Sequence, residues 1–221
     1  MSMNEIITTK EQILTSIRNA LISKRENPFD RINFNDPVYY DLEDEKEVVF
    51  ASKLLDNNGK FVYCENEQQA ISILQTLMNE KGWESVFAPD EKLVEMLQAG
   101  NINVDFDEEQ FSTIKGGITR CDFLIARFGS VMVSSALGSG RRMFVFPESH
   151  IVFAYASQVV VELKEALVGM KEKYARDFPS QVTVITGPSR TADIEKTLVM
   201  GAHGPKELYV FMIDDLQLTT D

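Results

Sequence analysis

Lys60-Phe61-Val62-Tyr63-Cys64 is an apolar, β-prone run. An amphipathic stretch follows from Glu67 to Lys81 and stops at Gly82, and then comes Ser85-Val86-Phe87-Ala88. Strand, helix closed by glycine, and strand again is the pattern of a βαβ unit, which joins parallel strands. The rhythm extends both ways: Val48 to Leu55 reads as a helix ending at Asn57-Asn58-Gly59, Asp90 to Gln98 as another, and Asn103 to Phe106 as a strand. Further on the strands crowd together, at Phe123 to Ala126, Val131 to Ser134, Met143 to Phe146, Ile151 to Tyr155, Val182 to Thr186 and Leu208 to Ile213. With only Gly-rich or Pro-containing turns between Phe123 and Tyr155, antiparallel hairpins are expected beside the parallel sheet. The predicted fold is therefore α/β: a mainly parallel sheet flanked by helices, with added antiparallel strands.

Upstream, Thr9 to Lys24 sets Ile13, Leu14, Ile17, Leu21 and Ile22 on one helical face. The stretch from Arg25 to Asp44, with Pro28 and Pro37 among several Asn and Asp, reads as an extended connection. Two parts are expected: residues 1–44 as a helix and linker, and 45–221 as the α/β domain. A length of 221 residues with 44% hydrophobic content suffices for a full core.

Thirty-four acidic against 22 basic residues give a formal charge of -12, which disfavours duplex nucleic acid and anionic membrane as general partners. The acidic runs around Asp41 to Glu47 and Asp105 to Glu109 have no calcium-loop spacing and read as solvated surface. No apolar run reaches the ~20 residues of a membrane span, and the opening lacks the features of a signal peptide. A cytoplasmic protein is expected. Cys64 and Cys121 are far apart in sequence and each borders an apolar run. They read as buried side chains, and two thiolates are too few for an iron–sulfur cluster. Two histidines without clustered carboxylates or thiolates leave no metal site in view. No cofactor is expected either, for no Walker or dinucleotide glycine pattern is present.

The chemistry-bearing candidates lie near the C-terminus. Thr183-Val184-Ile185-Thr186-Gly187-Pro188-Ser189-Arg190-Thr191-Ala192-Asp193-Ile194-Glu195 reads as a strand, a tight loop and the start of a helix from Asp193 to Met200. Gly201-Ala202-His203-Gly204-Pro205 then turns the chain into the last strand. A loop with two hydroxyls and Arg190 beside free helical N–H groups suits a carboxylate or an acidic side chain of a partner. Asp193 and Glu195 weigh against a multiply charged phosphate there. Gly187 and Pro188 also serve the turn itself, and Thr191 and Asp193 can cap the helix. Cys121 to Val133 encloses a turn at Gly129-Ser130, and Gly138 to Arg142 is a loop with two adjacent cations, of which one at most faces a given cleft. The ligand-contact candidates are thus Gly129, Ser130, Gly187, Ser189, Arg190, Thr191, Asp193, His203 and Gly204, converging at strand exits or helix ends. Proton-transfer or nucleophilic candidates are His203, Glu195 and Glu148, while His150 is less specific.

In order and spacing, the motifs from Cys121 to Asp214 closely resemble the lactate-utilisation protein C family (LutC/YkgG), whose domain is the LUD domain. The resemblance implies a fold like that of the NagB/RpiA/CoA-transferase superfamily. It also implies a role beside two cysteine-rich iron–sulfur proteins that oxidise L-lactate to pyruvate, with this chain as the member that carries no cluster. One departure stands out: the family commonly has an acidic residue and a Thr before the first-turn glycine, where this chain has Arg127 and Phe128. Two functions follow. One is an accessory subunit that docks through the N-terminal helix and linker; the other is an isomerase or acyl/CoA-transferase with the Gly187 loop as anion cradle.

Overall fold

The computed structural model describes residues 9–22, 33, 39–105, 114–192, 198–201 and 203–216. Met1–Asp41 and Leu42–Asp221 are separate compact units. In the first, α1 (Thr9–Ile22) carries its apolar stripe Ile13, Leu14, Ile17, Leu21 and Ile22 exposed.

In chain order the second unit begins α2 (Lys46–Asp56), β1 (Lys60–Cys64), α3 (Glu67–Lys81), β2 (Val86–Phe87), α4 (Glu91–Ala99), β3 (Val104–Asp105) and β4 (Gly116–Arg120). It continues β5 (Phe123–Ile125), β6 (Ser130–Ser134), β7 (Ser149–Tyr155), β8 (Val159–Val160), α5 (Leu163–Lys173), β9 (Val182–Ile185), β10 (Arg190–Ala192), β11 (Leu198–Met200) and β12 (Glu207–Ile213). The main sheet has the order β1-β12-β7-β4-β2-β3, and every pairing in it is parallel. A smaller sheet, β8-β5-β6-β9, joins β5 to β6 and β6 to β9 antiparallel, which supplies the expected added strands.

Local chemistry sets the helix ends. Asn66 Oδ1 accepts the Gln69 amide at 2.9 Å while Gln69 Oε1 accepts the Glu65 amide at 2.6 Å, so α3 starts on two reciprocal bonds. Gly82 closes it at φ 67°, the left-handed conformation glycine adopts without strain. Asp90 Oδ1 caps α4 through the amides of Lys92 and Leu93.

Strand alternation then divides the core. Ile151, Phe153, Tyr209, Phe211 and Ile213 point to one face, under Leu74 and Met78 of α3 and Leu93 and Leu97 of α4. Val152, Ala154, Leu208, Val210 and Met212 point to the other, under Phe50 and Leu54 of α2 and the inner face of the smaller sheet. Because both faces are covered, β7 and β12 read as nearly unbroken apolar runs. Ile125 and Met132 on the outer face of the smaller sheet bury against Ala166 and Met170 of α5. Each fully buried Leu or Phe in these layers contributes about 1.5–3 kcal/mol.

The structure corrects two expected elements. Leu198–Met200 is a strand rather than the end of a helix from Asp193, and it pairs antiparallel with Arg190–Ala192. Met143–Phe146 is not a strand: a 3-10 turn covers Arg142–Phe144. Met143 and Phe144 are buried whereas Val145 and Phe146 are about half exposed, an in-in-out-out order that strand alternation cannot produce. Besides the two-residue strand β8, two elements escape the sequence pattern. β4 opens on Gly116 and Gly117, where a Cβ would collide with the Trp83 ring and with Pro147. α5 leaves Leu163, Leu167 and Val168 exposed, so its apolar residues mark no single face.

Candidate functional site

Two of the expected ligand residues are seated by close backbone contact. Gly129 lies at φ 59°, and a Cβ there would strike the backbone of Lys53 and Leu54 in the last turn of α2. Gly187 lies at φ 83°, and its Cβ would strike the carbonyl oxygen of Asn57, the residue that ends α2. The Asn57 side chain donates to the Lys53 and Phe128 carbonyls, both at 2.8 Å, which ties the Gly129 turn to the helix end. Ser130 Oγ and Thr186 Oγ1 share a hydrogen bond of 2.8 Å. These contacts gather at the carbonyl end of a helix, whose partial negative charge opposes an anion.

The Gly-Pro-Ser and His-Gly-Pro segments meet at Ser189. Its amide donates to the Pro205 carbonyl at 2.8 Å, its carbonyl accepts the Gly201 amide at 2.9 Å, and a Cβ on Gly204 would lie 3.1 Å from Ser189 Cβ. Arg190 and Thr191 then enter β10. Arg190 and His203 are exposed. Asp193 and Glu195 fall outside the described residues. Because Arg190–Ala192 is a strand, the loop opens no helix there, and the expected helical N–H donors beside Arg190 are not present at those residues.

Gly204 lines a cleft of about 250 Å³ together with Lys115, Phe146, Glu148, Gly201 and Lys206. Glu148 accepts from Lys206 Nζ at 3.0 Å and from Lys115 Nζ at 3.1 Å, and these two cations hold its carboxyl below the usual carboxylate range. The Glu148 carbonyl takes the Lys206 amide at 2.8 Å, which fixes the two segments edge to edge. Next to it Glu207 faces Lys60 at 2.6 Å, Lys81 at 2.7 Å and the Ser149 hydroxyl at 2.7 Å. Burial acts to raise its pKa, but those three donors prevail and hold it at about 2. These groups stand at the amino ends of β4, β7 and β12, not at the strand exits expected for a ligand site in such a sheet.

The carboxyl ends carry a different set. Asp90, 2% exposed, accepts Arg120 Nη2 at 2.7 Å and Nε at 3.1 Å. Tyr155 donates to Glu67 at 2.6 Å, and burial together with that carboxylate pushes the phenol up to about 12. Arg127, where the resemblance leads one to expect an acidic residue, pairs with Glu162 at 3.2 Å, so a carboxylate is present at that turn but comes from another segment. Lys115, Lys206 and Glu207 were not singled out from sequence. Lys115 and Lys206 each sit one residue before a strand and Glu207 is the first residue of one, which is the signal they give.

His150 is fully buried, bonds Thr119 Oγ1 through Nε2 at 2.8 Å, and is pushed down to about 4 by burial, so it is neutral near pH 7. Cys64 and Cys121 are buried. Burial raises the first thiol to about 11 and the second further still, and neither is a thiolate near neutral pH. Among the described residues no group of three or more His, Cys, Asp or Glu could hold a metal ion. No helix among them is long and apolar enough to cross a membrane.

Residues 48–213 match the family model described as the LUD domain. The chain belongs to the LUD domain family. This LUD chain is 35% identical over 119 residues to Lactate utilization protein C of Geobacillus sp. (strain WCH70), a match covering 52% of this chain and 48% of that protein. It is 36% identical over 101 residues to Lactate utilization protein C 1 of Bacillus mycoides (strain KBAB4), covering 45% and 43%. The match thus spans about half the length of these curated relatives. A DUF162 family protein from Deinococcus radiodurans shares the fold of the LUD chain with a TM-score of 0.57 at 15% identity, over 76% of this chain and 96% of that one.

Proposed function

We propose that this chain serves lactate utilisation as an accessory subunit, working in the cytoplasm beside cysteine-rich iron–sulfur proteins that oxidise L-lactate to pyruvate. The observation that carries the reading is its membership of the LUD family together with its similarity to proteins named Lactate utilization protein C. The cysteines agree with it: two buried thiols, each raised by burial, make this chain a poor cluster ligand by itself.

In this reading the cleft around Glu148 and Gly204, with Ser189, Arg190 and His203 on the adjoining segments, receives a small carboxylate or an acidic group of a partner subunit. Lys115 and Lys206 line the cleft and provide the charge, and Arg190, exposed on the adjoining strand β10, is the proposed source of a further bond. Charge-assisted hydrogen bonds contribute ~1.5–3 kcal/mol, so Arg190→Ala weakens that binding on the order of tenfold to a hundredfold while the melting temperature holds. Titrating L-lactate, pyruvate and the cysteine-rich partners against both proteins reads this directly. Unchanged binding with a collapsed melting temperature makes Arg190 structural.

The function itself is tested by removing the gene. Growth on L-lactate is lost and growth on pyruvate is kept, and the reconstituted oxidation of lactate falls when this chain alone is omitted. Normal growth on lactate overturns the reading. An acyl/CoA-transferase is the second reading, supported by Glu148, whose side chain is 40% exposed at the cleft. A glutamyl-CoA thioester formed on Glu148 from an acyl-CoA, with release of the acyl group as its free carboxylate, would move that reading to first place.

A further inference from the structure

A groove of about 680 Å³ lies elsewhere on the α/β unit, between α2 and the carboxyl ends of β1 and β12. Its apolar wall is Val48, Ala51, Phe61, Tyr63 and Leu216. Three of these are half exposed: Val48 at 54%, Tyr63 at 49% and Leu216 at 48%. The sequence of α2 explains the surface. Phe50 and Leu54 fill the core on one side, so the second apolar stripe, Val48, Ala51 and Leu55, is left on the outer side, where Leu55 is 57% exposed. β1 is an edge strand of the main sheet and extends the apolar strip across Tyr63.

Among the described residues, the charged side chains lining this groove are acidic: Glu45, Glu47 and Asp214. Asp214 is held in place by the Tyr63 hydroxyl at 2.7 Å and the Leu216 amide at 3.0 Å. Lys46 lies between the two glutamates in sequence; its ammonium donates to the Val159 carbonyl at 2.7 Å and stands 3.8 Å from the Glu47 carboxylate, which leaves Glu45 and Asp214 as the stronger attraction for an incoming cation. An open trough with half-exposed apolar walls suits an elongated partner better than an enclosed small molecule. Its wall is made of side chains from a helix and a strand, so a helix laid along it finds apolar contact on both sides.

We propose that this groove is a docking site for an amphipathic helix of a partner protein, whose apolar stripe is flanked by Lys or Arg. The stripe lies along Val48, Ala51 and Tyr63, and the flanking cations meet Glu45, Glu47 and Asp214. The same carboxylates repel an anionic lipid surface or an acidic helix. The inference is independent of the lactate reading and stands or falls apart from it.

The test uses the full chain and two synthetic helical peptides with leucines at i, i+3, i+4 and i+7, one flanked by lysines and the other by glutamates in the same positions. The lysine peptide is expected to bind about tenfold or more tighter by fluorescence anisotropy, and to shift the amide resonances of Val48, Tyr63 and Leu216. Glu47→Lys should narrow that preference. Val48→Glu, at an exposed position, should weaken binding about tenfold with the melting temperature unchanged. Equal affinities for the two peptides, or shifts confined to another surface, overturn the proposal. If neither peptide binds while the chain dimerises in a way that Val48→Glu abolishes, the groove takes a second copy and the proposal is also overturned.

Discussion

Two regions that the C-terminal motifs bring forward together meet opposite electrical surroundings. Gly129, Ser130 and Gly187 sit against the carbonyl end of α2, where glycine is needed because another backbone passes within contact distance. Glu148 and Gly204 sit in an open cleft at the amino ends of the parallel strands, between Lys115 and Lys206. Motif spacing treats the two sets alike. The comparison teaches that a motif glycine beside a helix C-terminus is there for close approach, whereas the anion-compatible chemistry lies a few residues on, where lysines gather.

The sharpest way to break this division is steric. Gly129→Ala adds a Cβ into the backbone of Lys53 and Leu54 at a positive φ, and neither atom set can move without displacing α2. Strain of this kind and the loss of Leu54 burial cost together on the order of 3–5 kcal/mol. Gly204→Ala meets only the Ser189 side chain at 3.1 Å and should cost far less. Urea denaturation of both variants checks the contrast, and a mild Gly129→Ala would remove the packing role assigned to that turn.

A second effect of about 3 kcal/mol comes from the core between the two regions. His150 is buried and neutral, with its pKa at about 4 against an ordinary value near 6.5. The unfolded chain therefore binds a proton between those two values that the folded chain does not, and stability is full above pH ~6.5 and declines as pH falls towards ~4. His150→Gln should flatten that part of the stability curve, whatever it does to the plateau. A slope that survives the substitution places the titrating group elsewhere.

Glu207 works in a lower window and with a somewhat smaller effect. Its folded carboxyl, at about 2, lies below the ordinary value near 4.3, so its contribution is present above pH ~4.3 and is lost as pH falls towards ~2. One quarter of the side chain is exposed. With that discount Glu207→Gln should cost on the order of 2 kcal/mol near neutral pH, and nearly nothing at pH ~2. Chemical denaturation of the two proteins at both pH values measures the difference.

How much of this was legible before the structure follows from where each signal is stored. β1 and α3 were readable to the residue because the β-prone run Lys60–Cys64, the amphipathic stretch after it and the closing Gly82 are local signals. The segment after Gly187 misleads for the same local reason: Ser189, Thr191 and Asp193 are good residues for a helix start, but pairing of Arg190–Ala192 with Leu198–Met200 decides the outcome. Gly129, Ser130 and Gly187 are marked by their local turn residues, but Asn57, which ties the Gly129 turn to α2, lies 71 residues from Phe128, so that contact has no sequence signature. Lys115, Glu148 and Lys206 are brought together only by parallel register, in which Gly116 and Glu207 both stand opposite Ser149. A lysine before a strand otherwise reads as a solvated side chain.

The smallest expected effect separates Glu148 from its neighbour Glu207 most finely. Both carboxylates lie between two lysines, yet Glu148 is 40% exposed and its partners Lys115 and Lys206 are 66% and 56% exposed. Water screens such pairs, and exposed ion pairs contribute only about 0–1 kcal/mol. Glu148→Gln should therefore change stability by about 1 kcal/mol or less, and even that difference should shrink at high salt, where surface charges are screened. The backbone bond from the Lys206 amide to the Glu148 carbonyl is untouched by the substitution, so the cleft keeps its shape. Its charge does not stay the same: one negative group is removed from between two lysines, and affinity for a small carboxylate should rise. A rise in affinity at nearly constant stability marks Glu148 as the occupant of a cationic cleft that an incoming anion has to displace. A loss of stability as large as that of Glu207→Gln would instead make both glutamates part of one structural clamp and leave the cleft without a free charge to offer.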